Sequence, residues 1–568
     1  MMIAVLLSTG SVAFSANSGA LLNGDMQAAT AGSSSVALDS NATWHGSARN
    51  IATLAMDNNA RWTGAANNTG AVSMNGGSLW QVTNNSDIES LALNDSTLAF
   101  STPNAGVYKT LTINGDYAGN NSQLILNTKL GDDSSAMDKL VVRGDTSGHT
   151  DVVINNIGGH GAQTVQGIEI VQVGGNSQGT FANSQRIVAG AYDYFVRSGS
   201  TIDGANAKNW YLSSDYVQQD PTDPNIPELP TDPRTTPDPT GTSGHGATPR
   251  SASTTPTVRP EAGSYIANMA AAAKLFNLRL EDREGHAENA SIWLRQQGDR
   301  TKFNDATGQI KTSMNSYVIQ GGGEVAQTQF GDTDRLGVGL MLGYGESDSK
   351  SNSGRTGYHS KGNIDGYSGG VYATWYQDAK NLNGWYINSW LQYSSLKAEV
   401  DGEQLSGEKY DVNGLSVLVE SGYRMPVYHG ENGDVFVTPQ AQVIWNGIRA
   451  DDHTETNGTH VTSNGNNNVQ TRLGVKLSRD SVSDMDKGKD KLFTTYVEAN
   501  WLHNTEQAEA VMDGIAIKQA GNSNVGELKL GAEGQLTKHA NLWANVAQQI
   551  GDKGYSDTAL TVGFKYAF

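Results

Sequence analysis

Three groups of residues in this 568-residue chain have side chains and spacing that invite chemistry. Arg143-Gly144-Asp145 sets a guanidinium and a carboxylate two residues apart, the pairing that an integrin-type receptor reads. The tripeptide follows the strand-like run Leu140-Val141-Val142, and Gly-Asp is ordinary turn chemistry, so a structural turn is the stronger expectation for it. His45, His149 and His160 stand beside no nucleophile elbow and no Gly-Asp-Ser-Gly-Gly run, so nothing local supports an acyl-transfer triad. No Gly-rich phosphate loop, paired-histidine zinc motif or EF-hand loop occurs, and the pairs Asp132-Asp133 and Asp451-Asp452 read as solvated loop ends. The expectation is therefore no catalytic residue, no metal and no cofactor.

The elements that would carry any such site are β-rich. Trp44, Trp62 and Trp80 recur every 18 residues, each six residues after an apolar residue with an Asn/Asp/Gly/Ser turn between: Leu38, Met56 and Met74. The frame continues from Leu93 to a slot at Ala99, flanked by Leu98 and Phe100. A fixed period near 20 with short strands and polar turns is what a parallel β-solenoid requires. The segment from Leu7 to Phe14 overlays the segment from Leu93 to Phe100, which places the start of the chain inside a coil. It also resembles a signal peptide, with Ser11 and Ala13 as small residues, but no basic residue precedes Arg49. The expectation is an N-terminally truncated product that is exported poorly as written, although residues 1–16 as a working signal stay open.

Ten of the thirteen prolines fall between Pro221 and Pro260, a composition that cannot bury a core and reads as an extended linker. After it, Ile266, Met269, Ala273, Phe276 and Leu280 step by 3 and 4, and Ala270–273 keep the helix thin. A thin helix ahead of a barrel suggests a plug in its lumen.

The C-terminal part alternates with period two. From Leu560 to Phe568 every even position is large and apolar (Leu560, Val562, Phe564, Tyr566, Phe568), and every odd one small or polar. The same pattern recurs in 291–297, 335–345, 370–376, 385–393, 415–423, 435–445, 469–477, 493–501, 525–536 and 542–546, with a longer segment at 311–330. These make about twelve strands, enough for a membrane barrel whose strands need about 9–11 residues each. Polar loops such as 451–468 take up the remainder.

Composition agrees. Charged residues are 17% of the chain, glycines number 66, and the formal net charge is −19. No basic stripe exists to neutralise phosphates, so no nucleic-acid partner is expected. The chain has no cysteine, which removes disulfides, thiol catalysis and cysteine zinc sites together. No apolar run reaches the length of a transmembrane helix, a test that alternating strands escape.

Solenoid, proline linker, alanine-rich helix and a barrel ending in Phe564-Lys565-Tyr566-Ala567-Phe568 together resemble a type V autotransporter of the pertactin-like and AIDA-like group. The stretches starting at Leu111, Asp138 and Gly167, closing at Asn209-Trp210-Tyr211-Leu212, are similar to that family's autochaperone segment, and Ile292-Trp293-Leu294-Arg295 to its first barrel strand. The likeness covers roughly 105–568; the first hundred residues match only as a generic solenoid. It implies an all-β chain. A right-handed parallel β-helix passenger (1–104) with an autochaperone-like end (105–219) would be joined by a linker (220–260) and a lumen helix (261–285) to a 12-stranded antiparallel transmembrane β-barrel (286–568). It implies a Gram-negative outer membrane, its lipid and the barrel-assembly machinery as partners, with Phe564, Tyr566 and Phe568 as the assembly signal. It implies a non-enzymatic, adhesin-like passenger displayed toward host or neighbouring cells, where Arg143, Gly144 and Asp145 would be the weaker adhesion motif. Relatives that cut their lumen helix use adjacent asparagines; here Asn268 and Asn277 are isolated, so a tethered passenger is expected. The alternatives are a remnant of a secreted hydrolase whose catalytic region is missing, or an inactive truncated product.

Overall fold

The computed structural model describes residues 12–29, 34–215, 256–283, 291–431, 433–465, 467–482, 492–537 and 539–568. Residues 1–11, which hold most of the signal-like segment, and most of the proline linker lie outside the described residues. The chain divides into two compact units, one holding the solenoid and one beginning at Val258.

The first unit is a parallel β-helix. Trp44 pairs with Trp62, Trp62 with Trp80 and Trp80 with Leu98, each one coil on. A second row runs from Leu38 through Met56 and Met74 to Leu93. All of these side chains are buried, which is why apolar residues must return at the coil period. The turn between the two rows carries left-handed residues in register: Asn58 and Asn59 at φ 51° and 63°, then Gly76 and Gly77 at 59° and 80°. Only asparagine and glycine take that conformation at little cost, which accounts for the Asn/Gly-rich turns. Amide side chains continue the stack outside: Asn120 donates to Asn94, Asn94 to Asn75 and Asn75 to Asp57, each at 2.8 Å.

Two sequence frames shift. Leu98, not Ala99, stands over Trp80, because the coil from Met74 to Leu93 is one residue longer than the tryptophan row's 18. Phe14 pairs with Val36, whose row leads through Leu54 and Val72 to Leu91, so the overlay on Phe100 misplaced it. A coil holds more than one inward row, and an aromatic identity does not say which. At the C-terminal end parallel stacking stops: Trp210–Ser213 pairs antiparallel with both Ile168–Val173 and Tyr192–Ser198, covering an edge that would otherwise template another strand.

The second unit is a closed antiparallel barrel of twelve strands: Ser291–Asn304, Ile310–Thr328, Arg335–Ser353, His359–Tyr376, Gly384–Gly402, Glu408–Tyr428, Asp434–Asn446, Asn468–Ser481, Phe493–Asn504, Asn524–Gln535, Ala540–Gly551 and Ser556–Ala567. The first pairs with the last, Leu294 opposite Phe564, so no edge remains. Large apolar residues such as Leu340, Leu391, Val443 and Leu528 point outward, and the lumen side is polar. That inversion of a soluble core is a lipid-facing surface.

The second to sixth strands run 18 to 21 residues, well beyond what a membrane needs. Their apolar alternation stops at the Tyr344–Tyr367 ring pair, 5.2 Å apart. Beyond it Glu346, Asp348, Lys350, Lys361 and Lys397 face outward while backbone pairing continues. The apolar pattern therefore marked only the lipid-embedded part of each strand. The expected polar loop at 451–468 is likewise partly ordered: His453–Thr454 and His460–Asn464 join Glu509–Met512 and Ile515–Lys518 in a separate four-stranded sheet.

Candidate functional site in the barrel lumen

The helix Glu261–Lys274 lies inside the barrel, buried on nearly every side rather than along one stripe. Small residues make the fit. A Cβ on Gly263 would stand 2.7 Å from Ile310 Cγ2 and from Ser351 Oγ, and one on Gly362 of the wall 2.8 Å from Asn268 Oδ1 of the helix. Ser264 Oγ lies 2.5 Å from Ser360 Oγ. Asn268 donates to the Glu399 carbonyl at 3.1 Å and to Tyr410 Oη at 3.0 Å. Tyr265 Oη donates to Glu455 at 3.0 Å, and Glu455 also pairs with Arg259. Lys274 ends the helix between Asp299 at 2.7 Å and Asp557 at 2.9 Å. Asn277 then returns its side chain to the Ala273 carbonyl, and the chain leaves the helical path, so Phe276 and Leu280 reach the wall by other geometry than the helical stripe.

Below the helix the lumen holds a charged segment that the sequence pattern did not single out. Arg279 meets Glu498 and, at 3.6 Å, Glu420. Glu281 meets Lys529 and, at 3.1 Å, Lys476, while Asp282 meets Lys529 at 2.9 Å. Arg283 stacks over Tyr372 at 3.7 Å and donates to Asn388 at 3.1 Å. These partners lie between 89 and 248 residues away along the chain, so only the period-two rule, which turns Glu498 and Lys529 inward, could have hinted at them.

The polarity of the lumen follows from the ends. Ser291 and Phe568 lie at the end with short turns such as 329–334, and the ends Asn446, Asn468, Asn504 and Asn524, between which the chain makes its longest connections, lie at the other. In outer-membrane barrels the short turns are periplasmic. The first helical residue, Glu261, packs against Gly402 at the long-loop end, so the chain preceding the helix leaves on the outer side.

The suspected motifs resolve separately. Arg143 is exposed, but a Cβ on Gly144 would meet Asp116 Oδ1 at 2.3 Å, and Asp145 accepts from the Asn176 backbone N–H at 2.7 Å. That N–H, with the Asn176 side chain, holds the Asp145 carboxyl below the usual carboxylate range. Glycine and aspartate thus serve coil packing. Phe564, Tyr566 and Phe568 all face outward at the end of the last strand.

One arrangement escaped the sequence. His149 Nδ1 lies 2.9 Å from Thr180 Oγ1 and its Nε2 3.3 Å from Asp151 Oδ1, an acid–imidazole–hydroxyl line across two coils. His149 and Asp151 alternate onto one face of a strand, but Thr180 joins them only through the register of the next coil. The His149 and Asp151 side chains are 51% and 47% exposed, so water screens the line. Among the described residues no group of acidic, histidine or cysteine side chains is placed to hold a metal ion.

Comparison with known proteins agrees with this geometry. The autotransporter beta-domain family matches residues 292–547, and Autochaperone Domain Type 1 matches residues 86–196. The chain is 41% identical over 474 residues to the protein YdeU of Escherichia coli strain K12, covering 81% of this chain and 98% of that protein. It is 35% identical over 475 residues to the autotransporter adhesin AIDA-I of Escherichia coli, covering 81% of this chain but 34% of AIDA-I. The chain thus spans about a third of the length of its longer relatives. The crystal structure of the AIDA-I transport unit superposes with a TM-score of 0.51 at 35% identity, over 55% of this chain and 99% of that one. With its closed barrel, its plugged lumen and these relatives, the chain belongs to the type V autotransporters and is an outer-membrane protein.

Proposed function

We propose that the barrel anchors the β-helix at the cell surface and that the β-helix acts as a non-enzymatic adhesin, uncleaved and tethered by the lumen helix. The observation that carries this reading is the helix inside a closed barrel with its N-terminal end at the outer mouth. A chain threaded that way leaves what precedes it outside the cell. Tethering is supported by Asn268 and Asn277, whose side-chain nitrogens are both engaged as hydrogen-bond donors. The partners are outer-membrane lipid around the apolar belt, the assembly machinery that reads the Phe564, Tyr566 and Phe568 end, and the surface of a host or neighbouring cell.

Cells carrying the chain behind a functional export signal should adhere to cultured cells or to one another, and cells carrying the barrel without residues 12–215 should not. Equal adhesion by both would overturn the adhesin reading. The Asp151–His149–Thr180 line is the observation that favours a hydrolytic alternative. Ester hydrolysis that disappears in His149→Ala would establish that alternative, whereas no hydrolysis above background fits the proposal.

A further inference from the structure

The charged segment Arg279–Arg283 does more than fill space: we propose that it is a latch that fixes the register at which the chain comes to rest in the barrel. The inference rests on the autotransporter reading, in which the preceding chain has passed through this lumen.

Its charges read plus, minus, minus, plus at Arg279, Glu281, Asp282 and Arg283, and the wall is arranged to match. The acids Glu420 and Glu498 face Arg279, and the bases Lys476 and Lys529 face Glu281 and Asp282. The partners come from both sides of the lumen. Arg295 of the first strand holds the Asn277 carbonyl at 3.0 Å, Gln392 and Trp390 of the fifth hold the Phe276 and Leu278 carbonyls at 2.9 Å, and Asn545 of the eleventh donates to Asp282 at 3.1 Å. Most of these groups are almost wholly buried: Glu498 is fully so, Lys529 and Arg279 are 5% and 6% exposed, and Lys476 is more open at 21%.

Burial makes the arrangement selective. A buried charge is tolerated only when paired, and removing or misplacing one partner leaves the other uncompensated. Sliding the chain by a single residue would in one direction bring Arg283 to the place of Asp282, against Lys529, and in the other put Leu278 in the place of Arg279, against the buried Glu498. In the helix above, Ala270–273 present similar small faces at successive positions and discriminate little, so register there rests on the few polar contacts of Tyr265, Asn268 and Lys274. Arg279, Glu281 and Asp282 are therefore positioning residues: they set where the helix stops.

The absence of cysteine allows a direct register readout. Ser264 and Ser360 touch through their hydroxyls, so a chain carrying S264C and S360C should form a disulfide only when the helix rests in this register. In intact outer membranes the parent double-cysteine chain should cross-link almost completely. Glu281→Lys, which places a cation between Lys476 and Lys529, should cut the cross-linked fraction at least fivefold while the barrel keeps its heat-modifiable migration. Glu281→Gln should fall between, and adding Lys476→Glu to Glu281→Lys should restore most of the yield, because Lys476 pairs with Glu281 and leaves the Lys529–Asp282 contact in place. Undiminished cross-linking in an assembled Glu281→Lys barrel would overturn the latch. If Glu281→Lys prevents assembly, Glu281→Gln with parental cross-linking would overturn it equally. A parent chain without a folded barrel in the outer membrane would instead fail the autotransporter reading itself.

Discussion

Trp62 donates its indole N–H to the carbonyl of Gly46, 2.8 Å away, and a Cβ at Gly46 would stand 2.9 Å from the ring nitrogen of Trp44. The contact repeats from Trp44 to Gly24 and from Trp80 to Gly64, while the three rings stack with centroids 5.0 and 4.4 Å apart. Tryptophan fills each coil, and glycine one coil back lets the next backbone approach.

Trp62→Ala is therefore expected to destabilise the β-helix by about 3–5 kcal/mol, as for large aromatic deletions from a packed core. Trp62→Phe keeps most of the stack but leaves the Gly46 carbonyl without its donor, and is expected to cost about 1–3 kcal/mol. Gly46→Ala should be at least as disruptive as Trp62→Phe, since its Cβ would meet the Gly24 carbonyl oxygen at 2.0 Å. Protease resistance of the passenger under graded urea checks the order.

The Arg143-Gly144-Asp145 turn gives a pH test. The Asp145 carboxyl is held low by the Asn176 backbone N–H, so its contribution is present above the ordinary carboxylate range and is lost as pH falls through its depressed folded value. The stability difference between the parent and Asp145→Asn should shrink on acidification, measured by urea unfolding at stepped pH. Arg143→Ala should leave both passenger stability and adhesion unchanged; a selective loss of adhesion with unchanged display would make the tripeptide a receptor motif.

Phe568→Ser should lower the amount of barrel in the outer membrane several-fold. Its ring is exposed past the end of the last strand and packs edge-on against Tyr566 at 5.5 Å, so it does little for the folded barrel itself. An effect on assembled amount without an effect on the thermal stability of what does assemble would identify it as a signal read during insertion. Parental amounts in membrane fractions would contradict that role.

How far the sequence reached follows from which interactions are periodic. The tryptophan rows and the barrel alternation repeat at a fixed step, so Trp44, Trp62, Trp80 and the run from Leu560 to Phe568 announced both folds. The long strands were underestimated because Glu346, Asp348 and Lys350 continue the backbone ladder in water, where no apolar residue is needed. The lumen latch and the Asp151–His149–Thr180 line depend on register between distant strands. No local pattern encodes that Lys529 will face Asp282, or that Thr180 will sit one coil from His149.

Display of the solenoid outside the cell by an outer-membrane barrel can be read from the labelling of a single cysteine placed at Val107. This side chain is 66% exposed on the solenoid, and the chain has no cysteine of its own. Intact cells making Val107→Cys behind a functional export signal should react with a membrane-impermeant maleimide as fully as cells whose outer membrane has been opened. Labelling that appears only after the outer membrane is permeabilised would show that the solenoid is not displayed.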